Sequence, residues 1–111
     1  MVNAAAVAKD KKEAEEIARR FGQNLRRARK RAAMSQEELA IGASLHRTEI
    51  GLIERGHRVA RIDTLIKIAS SLEVSPLDLL AGIEWTAGGP SRGRFSIKGP
   101  LPQPPRRGRS S

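Results

Sequence analysis

Cysteine is absent from this 111-residue chain, and tyrosine with it; one Trp and two Phe are the only aromatic residues. Without cysteine there is no disulfide, no thiolate nucleophile and no cysteine-based zinc site. A core with so few rings must be small and aliphatic, and with no covalent staple it must come from well-fitted helices. No apolar run approaches the roughly 18–20 residues that span a bilayer. The charges at Lys9–Lys11 follow the apolar stretch from Val2 to Ala8, the wrong order for a secretory signal, so the expected compartment is the cytoplasm. The length suits one domain with short extensions.

Charge is present in excess of one sign, with 21 Lys and Arg against 12 Asp and Glu, but it is unevenly spread. Residues 1–20 carry a net +1, residues 21–85 a net +2 and residues 86–111 a net +6. The folding region is nearly balanced, so the high isoelectric point says little about what that region binds. Only the position of each basic residue can decide.

Residues 86–111 hold five of the six prolines and five of the ten glycines, a composition that builds no core and reads as a mostly disordered basic tail. Within it Arg94-Phe95-Ser96-Ile97-Lys98 alternates as a strand does. A lone strand is unstable in water and needs an edge to pair with, such as the same strand of a second subunit. At the other end, Ala, Lys and Glu dominate from Ala4 to Arg20, and Ile17, Phe21, Leu25, Ala28 and Ala32 recur at helical spacing. A first helix is predicted over 15–32, with residues 1–14 as a helical extension and Gly22 a possible break.

Ser35 followed by Glu38 forms a capping box that opens a second helix, ending near Gly42 or Ala43. After a short turn a third helix is predicted over 46–55, with Gly56 as its terminator. Ile62, Leu65, Ile66, Ala69 and Leu72 mark a fourth over 62–72, and Ser75-Pro76 starts a fifth that ends at Gly82. The expected fold is all-α, a compact five-helix domain over residues 15–85.

The stretch from Gln36 to Arg55 carries the most information. Two short helices that cross steeply need a small residue at the crossing, filled by Ala40, and apolar anchors, filled by Leu39, Leu45, Ile50 and Ile53. With Ser-Gln-Glu-Glu-Leu-Ala (35–40), Arg-Thr-Glu-Ile (47–50), Ile-Glu-Arg-Gly (53–56), Asp-Thr-Leu-Ile-Lys-Ile-Ala (63–69) and Ser-Pro-Leu-Asp-Leu-Leu (75–80) in register, the chain resembles the Cro and phage-repressor type (XRE-like) helix-turn-helix family. The resemblance covers about residues 21–82. It departs at Ser44, where the family usually has glycine in the turn, and at Ala60, where proline is frequent. A left-handed Ser44 would cost about 1 kcal/mol, some of it absorbed at Gly42.

The resemblance implies a DNA-binding transcriptional regulator, repressor-like, that presents helix 46–55 to the major groove. Gln36 would bond a phosphate, and Arg47, Thr48 and Leu52 would reach base edges. Glu49 would accept from a cytosine amino group or pair within its helix, and Arg47 has Glu49 as an alternative partner. His46 would cap the helix or touch phosphate, and Arg55 and Arg58 would clamp phosphates. Arg29 and Glu54 match an ion pair that ties the reading helix to helix 1. The run Arg26-Arg27, Arg29-Lys30-Arg31 would lend general electrostatic attraction to DNA.

One reading helix covers only about 4–5 base pairs, so a homodimer on a pseudo-palindromic double-stranded site is expected. Helix 5 with Ile83 and Trp85 is its expected seam, assisted by strand 94–98. A different class remains open, an antitoxin or adaptor whose tail from Thr86 onward binds a protein partner. The sequence holds no nucleophile–base pair, no phosphate-cradling glycine loop, and no metal set from His46 and His57, so neither an enzyme nor a cofactor is expected.

Overall fold

The computed structural model describes residues 4–90 and 92–101. Its elements are α1 (Ala4–Arg31), α2 (Gln36–Ala43), α3 (Arg47–Glu54), α4 (Ile62–Leu72), α5 (Pro76–Leu79), β1 (Ile83–Thr86) and β2 (Arg94–Ile97). Among the described residues no helix is long and apolar enough to cross a membrane.

The apolar period of α1 continues through Gly22 without a break, and the helix runs back from there to Ala4 as one rod of 28 residues, about 42 Å long. Its last turn carries Arg29, Lys30 and Arg31, cations that suit the negative end of the helix dipole. Left-handed Ala33 (φ 58°) then turns the chain. Ser35 accepts from the Glu38 amide at 3.0 Å and donates its own amide to Glu38 Oε1 at 2.7 Å, which starts α2 as the capping pattern requires.

The turn after α2 is made by Ser44 itself, at φ 54° and ψ 45°, rather than by any relief at Gly42, which keeps a negative φ. Leu45 N–H then bonds the Ala40 carbonyl at 2.8 Å and redirects the chain into α3. Gly56 (φ 76°) ends that helix, as expected from the sequence. α4 has no side-chain cap and closes on left-handed Glu73, while Ser75 and Asp78 cap α5 reciprocally.

Leu25, Leu39, Ile50, Ile53, Ile68 and Leu79 are fully buried at the meeting point of all five helices, each contributing about 1.5–3 kcal/mol of burial. Phe21, Ala28, Ala40, Ala43, Ala69 and Leu72 complete this core.

The strand-like stretch singled out within the tail does form a strand. Strand 94–97 pairs antiparallel with Ile83–Thr86 of the same chain, Ile83 opposite Ile97 and Trp85 opposite Phe95. Its hydrogen-bonding partner is therefore internal, and no second subunit is needed to supply one. Residues 102–111, the rest of the proline-rich tail, lie outside the described residues.

The hairpin is fastened to α1 by polar groups. Buried Arg20 donates to the carbonyls of Ala81 (3.1 Å), Gly99 (3.1 Å) and Pro100 (2.9 Å). One turn on, buried Asn24 donates to the carbonyls of Leu79 and Ala81, both at 2.9 Å. Without these two side chains, a chain turning from helix into hairpin would bury unpaired carbonyls.

Candidate nucleic-acid interface

The two faces of α3 are sharply divided. Ile50 and Ile53 point into the core and are fully buried, whereas Arg47 and Thr48 are exposed. What holds the helix in this attitude is α1, which crosses behind it at two glycines. A Cβ on Gly22 would stand 2.4 Å from the Ile53 carbonyl oxygen and 2.6 Å from that of Glu54. A Cβ on Gly56 would stand 2.9 Å from the Arg19 Cα. Both approaches are closer than any side chain allows, so the end of α3 rests directly on the backbone of α1.

A charged clasp fixes the same junction. Arg29 meets Glu54 through two parallel bonds, Nε to Oε2 at 2.6 Å and Nη2 to Oε1 at 3.0 Å. Its third group, Nη1, donates to the Met34 carbonyl at 2.8 Å. The side chains are only 11% and 4% exposed, so this bidentate pair is shielded from solvent and little screened by salt. The pair joins α1 to the last residue of α3.

Gln36, the expected phosphate ligand, is also engaged within the protein. Its Nε2 donates to Glu54 Oε1 at 3.0 Å, so the amide is oriented by the clasp, with one N–H committed. Through Gln36 the start of α2, the end of α3 and the body of α1 share one carboxylate.

His46 caps α3, its Nδ1 accepting from the Thr48 amide at 3.2 Å. Glu49 lies 3.9 Å from Arg58 across the loop, so its ion-pair partner is Arg58 rather than Arg47. Leu52 is half-buried on the flank of the helix. Arg55, at the C-terminal end, runs back over Gly51. The structure thus gathers Gln36, His46, Arg47, Thr48, Glu49, Leu52, Arg55 and Arg58 around one protruding helix, with Arg29 and Glu54 beneath them. The basic side chains Arg47, Arg55 and Arg58 are all exposed there.

Of the seam expected at α5, Ile83 and Trp85, Leu77 and Trp85 are exposed and Ile83 is partly buried. Ile83 packs against the core, and Trp85 stacks edge-on against Phe95 with ring centroids 4.9 Å apart. Ile62 and Ile66 on α4 are exposed as well. Sequence reasoning missed Arg20, Asn24 and the close approach at Gly22. For Gly22 a signal existed, since a glycine kept inside a strong helical pattern points to a neighbour that needs the space.

Comparison with known proteins agrees with this geometry. A helix-turn-helix family model (HTH_3) matches residues 25–79. Control protein C.BamHI from Bacillus amyloliquefaciens is 49% identical over 61 residues, 54% of this chain and 75% of that protein. Control protein C.SmaI from Serratia marcescens is 42% identical over 60 residues, 54% of this chain and 71% of that protein. The crystal structure of the restriction-modification controller protein C.AhdI from Aeromonas hydrophila superposes with a TM-score of 0.55 at 37% identity, over 56% of this chain and 94% of that one.

Proposed function

Because this chain belongs to the helix-turn-helix family and is a DNA-binding transcriptional regulator, we propose that it is a controller of restriction-modification genes. In this reading it binds a specific double-stranded site, with α3 in the major groove. The observation that carries the reading is the division of α3, with its inner face locked by Ile50, Ile53 and the Arg29–Glu54 clasp and its outer face presenting Arg47 and Thr48. A rigidly held helix can align an arginine with guanine O6 and N7, and a threonine methyl with that of thymine. Arg55 and Arg58, on either side of Gly56, supply phosphate contacts that set register without reading sequence.

The active species is a homodimer. Ile62 and Leu77 are 76% and 73% exposed, and with Ile66 they offer a surface on α4 and α5 for a second copy. A two-fold pair of α3 helices calls for an inverted-repeat site. The protein acts in the cytoplasm and is not an enzyme, its work being done by binding alone.

Selection of bound duplexes from a random pool, followed by footprinting at matched salt, tests the proposal. Inverted repeats should dominate the recovered sequences, and Arg47→Ala should relax preference at one base pair of each half-site. Recovered sequences bound no better than the starting pool would remove the proposal.

A further inference from the structure

Arg47, Gly51 and Arg55 follow one another at intervals of four and share one stripe of α3. The middle position of that stripe has no side chain and is nevertheless buried. It is covered by Arg55, whose side chain leans toward the helix N-terminus as helical side chains do. A Cβ at Gly51 would sit 3.1 Å from Arg55 Nη1, 3.9 Å from its Cζ and 3.8 Å from Gln36 Oε1. Glycine weakens a helix interior relative to alanine, so its presence here calls for a reason other than helix stability.

The carboxylates near this seat are already engaged, Glu54 by Arg29 and Gln36 and Glu49 by Arg58. Among the described residues none forms an ion pair with Arg55. Its guanidinium is therefore located by packing while its donors stay available for an anion.

We propose that Gly51 is a positioning residue for DNA binding: its missing side chain is the seat that holds the Arg55 guanidinium against α3, beside Gln36, aimed at one backbone phosphate of the bound duplex. This rests on the DNA-binding reading above. A methyl group at 51 crowds Nη1 by a few tenths of an ångström, whereas a leucine fills the seat and ejects the guanidinium.

The test uses the full chain, the duplex recovered by selection, binding across a salt series, and thermal unfolding. Gly51→Leu should weaken binding about tenfold, the loss of one charge-assisted phosphate contact, and lower the salt slope by about 0.9. Gly51→Ala should lose about two- to threefold by the same contact, partly kept. Preference for the selected site over random DNA should survive, and neither variant should melt below the parent. Arg55→Ala should match Gly51→Leu, and combining the two should lose nothing more. Parental affinity and slope in Gly51→Leu would overturn the proposal and leave the DNA-binding reading standing. So would an additive loss in the double variant, or a loss that tracks a lowered melting temperature. A parent protein with no site preference would remove both.

Discussion

The Arg29–Glu54 clasp gives the sharpest quantitative test of how α3 is held. Glu54→Ala removes the acceptor of two Arg29 bonds and of one Gln36 bond, and leaves a guanidinium that is 11% exposed with only the Met34 carbonyl. Breaking a buried pair from one side costs about 3–5 kcal/mol, and the surviving Met34 bond places this case near 3 kcal/mol. Arg29→Ala should cost a similar amount, because Glu54 is still more deeply buried and keeps Gln36 alone. Replacing both at once, as Arg29→Met with Glu54→Leu, strands no charge and should return to within about 1 kcal/mol of the parent. The cycle then yields a coupling energy of about 5 kcal/mol. Urea unfolding followed by far-ultraviolet circular dichroism measures each corner, with the slope against denaturant unchanged. Single losses below about 1 kcal/mol that add in the double variant would show the pair behaving as a solvated surface contact. The clasp would then not be what fixes the reading helix.

Two further outcomes follow from the backbone and from the hairpin. Ser44→Gly should raise stability by about 1 kcal/mol by relieving a left-handed serine, or about 4–8 °C in melting temperature by calorimetry; an unchanged or lower melting point would show that Ser44 is not strained. Arg20→Ala should loosen the hairpin while leaving the helices intact. The single tryptophan, Trp85, sits on β1, so acrylamide quenching of its fluorescence should rise with no change in helical dichroism. Unaltered quenching would mean that Arg20 does not hold the hairpin.

Features written in neighbouring residues were legible in the sequence. α2 and α4 have the bounds their caps and apolar period indicate, because a capping box and a helical stripe are decided within a few residues. The attitude of α3 was also legible, through Ile50 and Ile53 and a turn too short to allow another path. The hairpin was only half legible: strand 94–97 shows alternation, but its partner at 83–86 is a short Ile-Glu-Trp-Thr segment just past Gly82, whose Ile83 and Trp85 read as a dimer seam. Pairing across the intervening loop is a tertiary fact. Arg20 could not be told from Arg19 by type, since only the open carbonyls of Ala81, Gly99 and Pro100 distinguish them. Gln36 was placed at the right helix end, yet its amide answers to a carboxylate 18 positions later, a distance no local pattern spans.

The stitch made by Arg20 and Asn24 sets the size of the cooperative unit. The family's shared segment runs over residues 25–79, but Phe21 of the core and both stitching side chains precede it, and every carbonyl they hold from Leu79 onward closes or follows it. Trimming the chain to residues 25–79 would cut the thread at both ends at once. What is inherited as a recognition module and what melts as one body are two different lengths of this polypeptide.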